Sequence, residues 1–380
     1  MPTNKPKVAI VHDWLTNYAG AEQVVSAFLE IFPDAPIFTS LYKPEKLPEV
    51  FKKRKVYTSH LQKYSFLKHQ LLFPFMGKAF EQFDLSDFDI VLTSSHASSK
   101  GVITKPKTLH ICYCHTPTRY LWSHYHEYLN QMEFGILNPI VKWRMPKIAH
   151  KLRMWDRLAA DRVDLWIANS KNVAKRIKKY YRAKAEVIYP PVNTSAYKPT
   201  EKIEDYYLVC SRLIPYKKID VVIRAFNKIG LPLKITGTGS VENELKKIAK
   251  PNIKFLGRVD DNELKKYYSK TKAFIFPTEE DFGITPVEAM AGGRPVIAYK
   301  KGGAEETVVP NVTGIFFDDQ SEEAIITAIK KFQKTKFEPS AIRSHAEKFD
   351  IRNFKRKIED FVYESYERRL NEGYNSHKNS

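Results

Sequence analysis

Short apolar runs recur along this chain with room for a helix between most neighbours, and that alternation most narrowly limits what it can fold into. In the first half the runs fall at 7–11, 36–39, 54–57, 89–94, 109–113, 164–168 and 186–189; in the second, at 206–210, 232–236, 253–256, 273–276 and 295–298. Strand and helix taking turns make parallel strands joined by crossover helices, so an α/β chain of doubly wound sheets is expected. Its 380 residues are enough for two such domains, each with its own core. The proline-rich Tyr189-Pro190-Pro191-Val192-Asn193-Thr194 reads as the crossing between them. The expected division is 1–193, 194–350 and a last segment 351–380. In that segment Ile351, Phe354, Ile358, Phe361, Val362 and Tyr366 form one helical stripe, and the tail beyond Arg369 is loose.

The strand-like Ala273-Phe274-Ile275-Phe276-Pro277 leads into Glu279-Glu280-Asp281-Phe282-Gly283-Ile284-Thr285-Pro286-Val287-Glu288. Thr285 reads as an N-cap, Pro286 as the first helical residue and Glu288 as the third. A helix start offers unpaired N–H groups to a phosphate, yet Thr285-x-x-Glu288 also fits a capping box in which Glu288 only satisfies backbone. Three other segments follow apolar runs. Asn17-Tyr18-Ala19-Gly20-Ala21-Glu22 opens a helix, and Cys114-His115-Thr116-Pro117-Thr118-Arg119-Tyr120-Leu121-Trp122 leaves a strand. Ser211-Arg212-Leu213-Ile214-Pro215-Tyr216-Lys217-Lys218 would by itself be a solvated basic turn. Ile235-Thr236-Gly237-Thr238-Gly239-Ser240 ends a strand in a Gly-x-Gly turn; lacking the third glycine of the dinucleotide fingerprint, it counts against an NAD enzyme.

Glu280, seven residues and Glu288, with Phe282-Gly283 and Pro286 between, resembles the nucleotide-sugar site of retaining glycosyltransferases of family 4. The other segments match that family in order along most of the chain, closest to bacterial members that add mannose in surface-polysaccharide or O-antigen assembly. The resemblance implies the GT-B fold, two doubly wound Rossmann-like domains facing a central cleft, with the C-terminal helix crossing back to the first domain. It implies that Glu280 faces the transferred sugar, that Glu288 holds the ribose and that Arg212 and Lys217 bind the diphosphate. His115 would reach the sugar from the amino-terminal domain. Gly20, Gly237, Gly283, Ile284 and Thr285 would line the donor. The implied reaction moves a hexose, mannose from GDP-mannose, to a hydroxyl of a lipid- or glycan-linked acceptor with retained configuration; the leaving phosphate takes the proton, so no general base is needed. No cofactor or metal is expected, since Arg212, Lys217 and a helix start already supply positive charge. Asp87-Phe88-Asp89, a literal Asp-x-Asp, reads instead as a polar lead-in to a buried strand.

A hydrophobic fraction of 43% excludes a largely disordered chain, and no stretch approaches the roughly 18 apolar residues of a membrane span. The start, Met1 to Lys7, has no signal-peptide core, so a cytoplasmic protein is expected, peripheral on the inner face of the cell membrane. Cys112, Cys114 and Cys210 sit in apolar runs and read as packing residues rather than redox or zinc groups. The net charge of +19 admits two partners. Lys52-Lys53-Arg54-Lys55, then Lys63, Lys68 and Lys78 among Phe66, Leu67, Leu71, Leu72, Phe73, Phe75, Met76 and Phe80, suit an anionic membrane surface. A second basic stretch, 139–159, carries Val141, Met145, Ile148, Leu152, Trp155 and Ala159 at helical spacing and reads as a core-facing helix with a solvated back. Nucleic acid is the rival, but no nucleic-acid-binding signature occurs and the basic residues are scattered, so none is expected as a partner. A GT-B sugar-nucleotide epimerase would lack the Glu pair at this spacing, and a two-carboxylate hydrolase has no use for Arg212 and Lys217. A noncatalytic sugar-nucleotide binder differs only by turnover.

Overall fold

The computed structural model describes residues 5–67, 69–123, 125–126 and 138–378, with side chains left out at 70, 138–143 and 373–378. Met1–Asn4, Lys68 and the side chains of Val141, Lys142 and Tyr374 to Ser376 lie outside that description. The chain forms two compact units, one of residues 1–189 with 355–380 and one of residues 190–354.

The first unit is built on a seven-stranded parallel sheet: β1 Val8–His12, β2 Ile37–Thr39, β3 Val56–Thr58, β4 Ile90–Ser95, β5 Leu109–Cys114, β6 Leu165–Ala168 and β7 Ala185–Val187. Their order across the sheet is β3-β2-β1-β4-β5-β6-β7. Every residue of β1, β4 and β5 is buried, as strands covered by helices on both faces must be. In the second unit β8 Tyr207–Cys210, β9 Leu233–Thr236, β10 Ile253–Gly257, β11 Phe274–Phe276, β12 Val296–Tyr299 and β13 Gly314–Phe317 are ordered β10-β9-β8-β11-β12-β13. β13 has no counterpart among the sequence runs. It is short and begins at a glycine that strand propensity disfavours, but a side chain at Gly314 would stand 2.0 Å from the Val296 carbonyl oxygen, so no other residue fits.

In each sheet the strand order reverses once, between β1 and β4 and between β8 and β11. Connections from the two strands there run to opposite faces and their loops diverge, leaving a crevice at the carboxyl ends, where ligands of open α/β sheets bind.

Of the expected apolar stripe, the helix Asn138–Ala160 buries Ala159 and half-buries Met145, Ile148, Leu152 and Trp155; Ala149, outside that stripe, is buried too, and so is a charge. Asp156 accepts from Lys100 Nζ at 2.6 Å and from Thr118 Oγ1, Trp122 Nε1 and Tyr181 OH, each at 2.8 Å. Those donors explain how a carboxylate survives there. Thr118 and Trp122 belong to the segment after His115, so the network pins that segment from beneath. The last helix, Ile351–Lys378, starts in the second unit and belongs to the first from Lys355 on, with Ile358 and Val362 buried, an ion pair from Lys355 to Glu30 and Arg369 3.1 Å from Asp164. It continues through the residues that the sequence reads as a loose tail and past Gly373, an interruption that costs about 1 kcal/mol.

Candidate active site

At the carboxyl end of β8 the chain turns through Ser211 to Lys218. The Gly-x-Gly turn after β9 lies directly on this loop: Ser211 N–H donates to the Thr236 carbonyl at 3.1 Å and Leu213 N–H to that of Thr238 at 3.0 Å. Side chains at Gly237 and Gly239 would come within 1.9 and 2.0 Å of the Ser211 and Leu213 carbonyl oxygens. Close backbone approach therefore accounts for both glycines. Lys218 takes a left-handed conformation, φ 55°, and opens the helix Ile219–Ile229. Arg212 is exposed, its guanidinium 3.4 Å from the Tyr216 hydroxyl. Lys217 is largely buried and forms an ion pair with Glu280 across the switch point, while Thr278 Oγ1 donates to the Lys217 carbonyl at 3.1 Å.

Beyond β11 the helix is Ile284–Ala291, so its cap is Gly283 and not Thr285. Gly283, at φ 86° and ψ 81°, turns the chain in a conformation that threonine avoids. Thr285, Pro286 and Glu288 become the second, third and fifth helical residues. Proline is tolerated there because N–H groups of the first turn have no intrahelical partner. The capping box is absent, and Glu288 lies instead beside the Tyr197 and Tyr268 phenols. Burial pushes the Glu288 carboxyl above its usual range, against the pull of the Tyr197 and Tyr268 phenols beside it. Burial likewise lifts the nearby Cys210 thiol to about 12, so it is inert.

Gly302 and Gly303, which follow β12, were not singled out by the sequence reading. Gly303 N–H donates to the Glu280 carbonyl at 2.8 Å, and side chains at Gly302 and Gly303 would meet the Glu280 and Phe282 carbonyl oxygens at 2.3 and 2.1 Å. Two glycines just past an apolar run were the available signal, since they mark where another backbone comes close.

The switch point of the first sheet gathers His12, Asp13, Ser94, His96 and His115 from the ends of β1, β4 and β5. Asp13 accepts the N–H groups of His96, Ala97, Ser98 and Ser99 at 2.6 to 3.0 Å. Burial raises its carboxyl pKa, but His96, His12 and those N–H groups outweigh it and hold the value below the usual range. Glu22 accepts from Ala19 N–H at 2.9 Å and stands 3.7 Å from His12 Nε2. His115 is 2.8 Å from Ser94 Oγ through Nε2, and burial takes its pKa well below the ordinary histidine value, leaving the ring neutral. Gly20 is the first residue of the helix Gly20–Ile31. Of these groups the sequence singles out His115, Gly20 and the helix-opening segment that ends at Glu22, but not His12, Asp13, Ser94 or His96; polar residues ending apolar runs, as in Val11-His12-Asp13, were the missed signal. Asp89 lies at the opposite, amino end of the sheet, accepting from Lys7 N–H at 2.9 Å. Among the described residues no group of three or more His, Cys, Asp and Glu is arranged to hold a metal ion.

The site residues thus form two sets, one at the switch point of each sheet. Residues 18–196 match the family model described as Glycosyltransferase Family 4, and residues 195–349 the one described as Glycosyl transferases group 1. The chain is 29% identical over 208 residues to an O-antigen chain mannosyltransferase, RfbU, of Salmonella typhimurium, a match covering 52% of this chain and 58% of that one. It is 32% identical over 177 residues to a GDP-mannose-dependent alpha-(1-6)-phosphatidylinositol monomannoside mannosyltransferase of Mycobacterium tuberculosis, covering 39% and 46%. The matches thus span about half the length of these curated relatives. Among solved structures, sucrose-phosphate synthase of Thermosynechococcus elongatus superposes with a TM-score of 0.71 over 95% of this chain and 99% of that one, at 16% identity. Anabaena HepE in complex with UDP and glucose gives 0.67 over 94% and 100%, at 19% identity. At such identities the likeness is one of fold.

Proposed function

The chain belongs to the family 4 glycosyltransferases and has their two-domain GT-B fold, and from that premise we propose that it transfers a hexose from a nucleoside diphosphate sugar to a hydroxyl acceptor, retaining configuration. The observation that carries the proposal is the convergence of Arg212, Lys217 and Glu280 on the carboxyl ends of β8 and β11. Breaking the bond to the diphosphate develops positive charge on the sugar and negative charge on the leaving phosphate. Arg212 and Lys217 meet the second charge, the one with a planar fork and the other as a point charge. Backbone N–H groups at Gly283 to Thr285 add fixed dipoles to it. Glu280 bonds the sugar hydroxyls, Glu288 the ribose, and His115 the sugar from the first unit. The leaving phosphate accepts the acceptor's proton, and no metal is required because the cationic groups do that work.

The two mannosyltransferase relatives favour GDP-mannose as donor and a lipid- or glycan-linked acceptor. A membrane-linked acceptor agrees with the surface of the first unit, where Phe66 and Phe75 are 77% and 59% exposed beside exposed Leu71, Lys63 and Lys78. No helix among the described residues is long and apolar enough to cross a membrane. The exposed basic and apolar side chains suit attachment to the inner face of the cell membrane. The test is a panel of nucleotide sugars assayed for binding, slow donor hydrolysis and transfer, each with and without excess EDTA. Turnover of GDP-mannose unaffected by EDTA is the expected result. No turnover of any donor would leave a binder rather than an enzyme, and activity lost to EDTA and restored by Mn²⁺ would overturn the metal-free mechanism.

A further inference from the structure

Behind His115 runs a line of polar groups that the proposed transfer reaction does not itself use. Glu22 Oε1 lies 3.7 Å from His12 Nε2; His12 Nδ1 lies 3.0 Å from the Ser94 carbonyl oxygen and 3.1 Å from Ser94 Oγ; Ser94 Oγ lies 2.8 Å from His115 Nε2. His12 is fully buried, as is Ser94, and Glu22 is 3% exposed, so no bulk water substitutes for these contacts.

Proton counting along the line has one solution. The Ser94 carbonyl can only accept, so the hydrogen bond there requires a proton on His12 Nδ1. The Ser94 hydroxyl then cannot donate to that protonated nitrogen, and its single proton is directed at His115 Nε2, the other group within hydrogen-bond distance of it among the described residues. His115 is neutral and must therefore accept at Nε2 and carry its proton on Nδ1. His115 is partly exposed, and its Nδ1 has no hydrogen-bond partner among the described residues. The carboxylate of Glu22, anchored by Ala19 N–H, stands beyond His12 Nε2 at the far end of the line.

We infer that Ser94 and His12 are positioning residues that fix His115 as its Nδ1–H tautomer, so that the group it presents outward is a hydrogen-bond donor. A donor at that point suits a sugar hydroxyl or a phosphate oxygen of the nucleotide sugar and offers nothing to a ligand group that can only donate. The use of that N–H rests on the proposed transfer reaction; the tautomer does not.

The test is two-bond ¹H–¹⁵N correlation on the full chain labelled at histidine, with His115 identified by its loss in His115→Asn. The parent should show His115 protonated at Nδ1. Ser94→Ala should move it toward the mixture seen for free imidazole, and Ser94→Thr, which keeps the hydroxyl, should restore the parent pattern. A parent signal protonated at Nε2, or a Ser94→Ala spectrum unchanged at His115, overturns the assignment, and the parent spectrum decides even if Ser94→Ala fails to fold. In turnover, Ser94→Ala should lose roughly tenfold in kcat/KM alone and nothing further in the His115→Asn background, as for residues acting as one unit. An equal loss in both backgrounds overturns the positioning role. Full turnover by His115→Asn would instead remove His115 from the transfer reaction and leave the tautomer assignment standing.

Discussion

Lys217 and Glu280 are assigned to different parts of the donor, yet in the absence of donor they hold each other. A diphosphate arriving at Lys217 must compete with a carboxylate already in place, which lowers apparent affinity by the fraction of time that Lys217 is free. Glu280→Gln should therefore bind GDP or UDP roughly threefold to tenfold more tightly than the parent while losing about two orders of magnitude in transfer. Lys217→Ala should weaken the same binding. Titration calorimetry checks both, and equal affinity in parent and Glu280→Gln would mean that the pair does not restrain Lys217. None of this pairing was legible in the sequence. The motif residues stand out by spacing, but 63 positions separate the two partners and only the strand order brings them together. His12 and Asp13 were illegible for a related reason: a polar pair at a strand end is unremarkable until the neighbouring strand shows what it faces.

At the scale of elements, buried strands were the easiest to read, because parallel strands covered on both faces are apolar throughout. Boundaries were harder where a glycine decides them. Gly283 caps a helix that Thr285 was expected to cap: a glycine permits a left-handed turn without requiring one, and the Thr-Pro pair after it carries the stronger local start signal. Gly303→Ala tests the tight loop packing here: its side chain meets backbone at Phe282, which cannot rotate away, so a loss of about 1–3 kcal/mol in urea unfolding is expected, with a larger loss in turnover as the Glu280 loop shifts. A wild-type stability would show that the loop yields freely. β5 carries a second test. Burial depresses the pKa of His110 to about 4, with its ring held between Thr93 Oγ1 and the Arg162 carbonyl. Between the unfolded value of 6.5 and about 4 the unfolded chain binds the extra proton, so stability falls as pH falls through that window, by about 3 kcal/mol when complete. Urea midpoints measured from pH 7 to 4.5 should drop, with a shallower slope in His110→Gln. Equal slopes would sink the assignment.

The whole molecule joins a strongly basic composition to an exposed apolar surface on its first unit. Co-sedimentation with anionic vesicles should be strong at low salt and fall as salt rises, and neutralising Lys52, Lys53, Arg54 and Lys55 should reduce it. Binding indifferent to salt and lipid charge would refute the electrostatic mode. The architecture follows from the alternation of runs, whereas the continuity of the last helix does not, because a helical stripe says nothing about which surface receives it. That helix makes the first unit discontinuous in sequence: residues 1–189 are finished by residues 355–380. During translation, then, the first sheet leaves the ribosome long before the segment that buries its Phe32 side against Tyr363, and it must wait through the synthesis of an entire second unit. The nascent chain should need chaperone shelter over that interval, and a chain stopped after Phe354 should never leave it, its first unit remaining open to protease while residues 190–354 survive digestion as a resistant fragment.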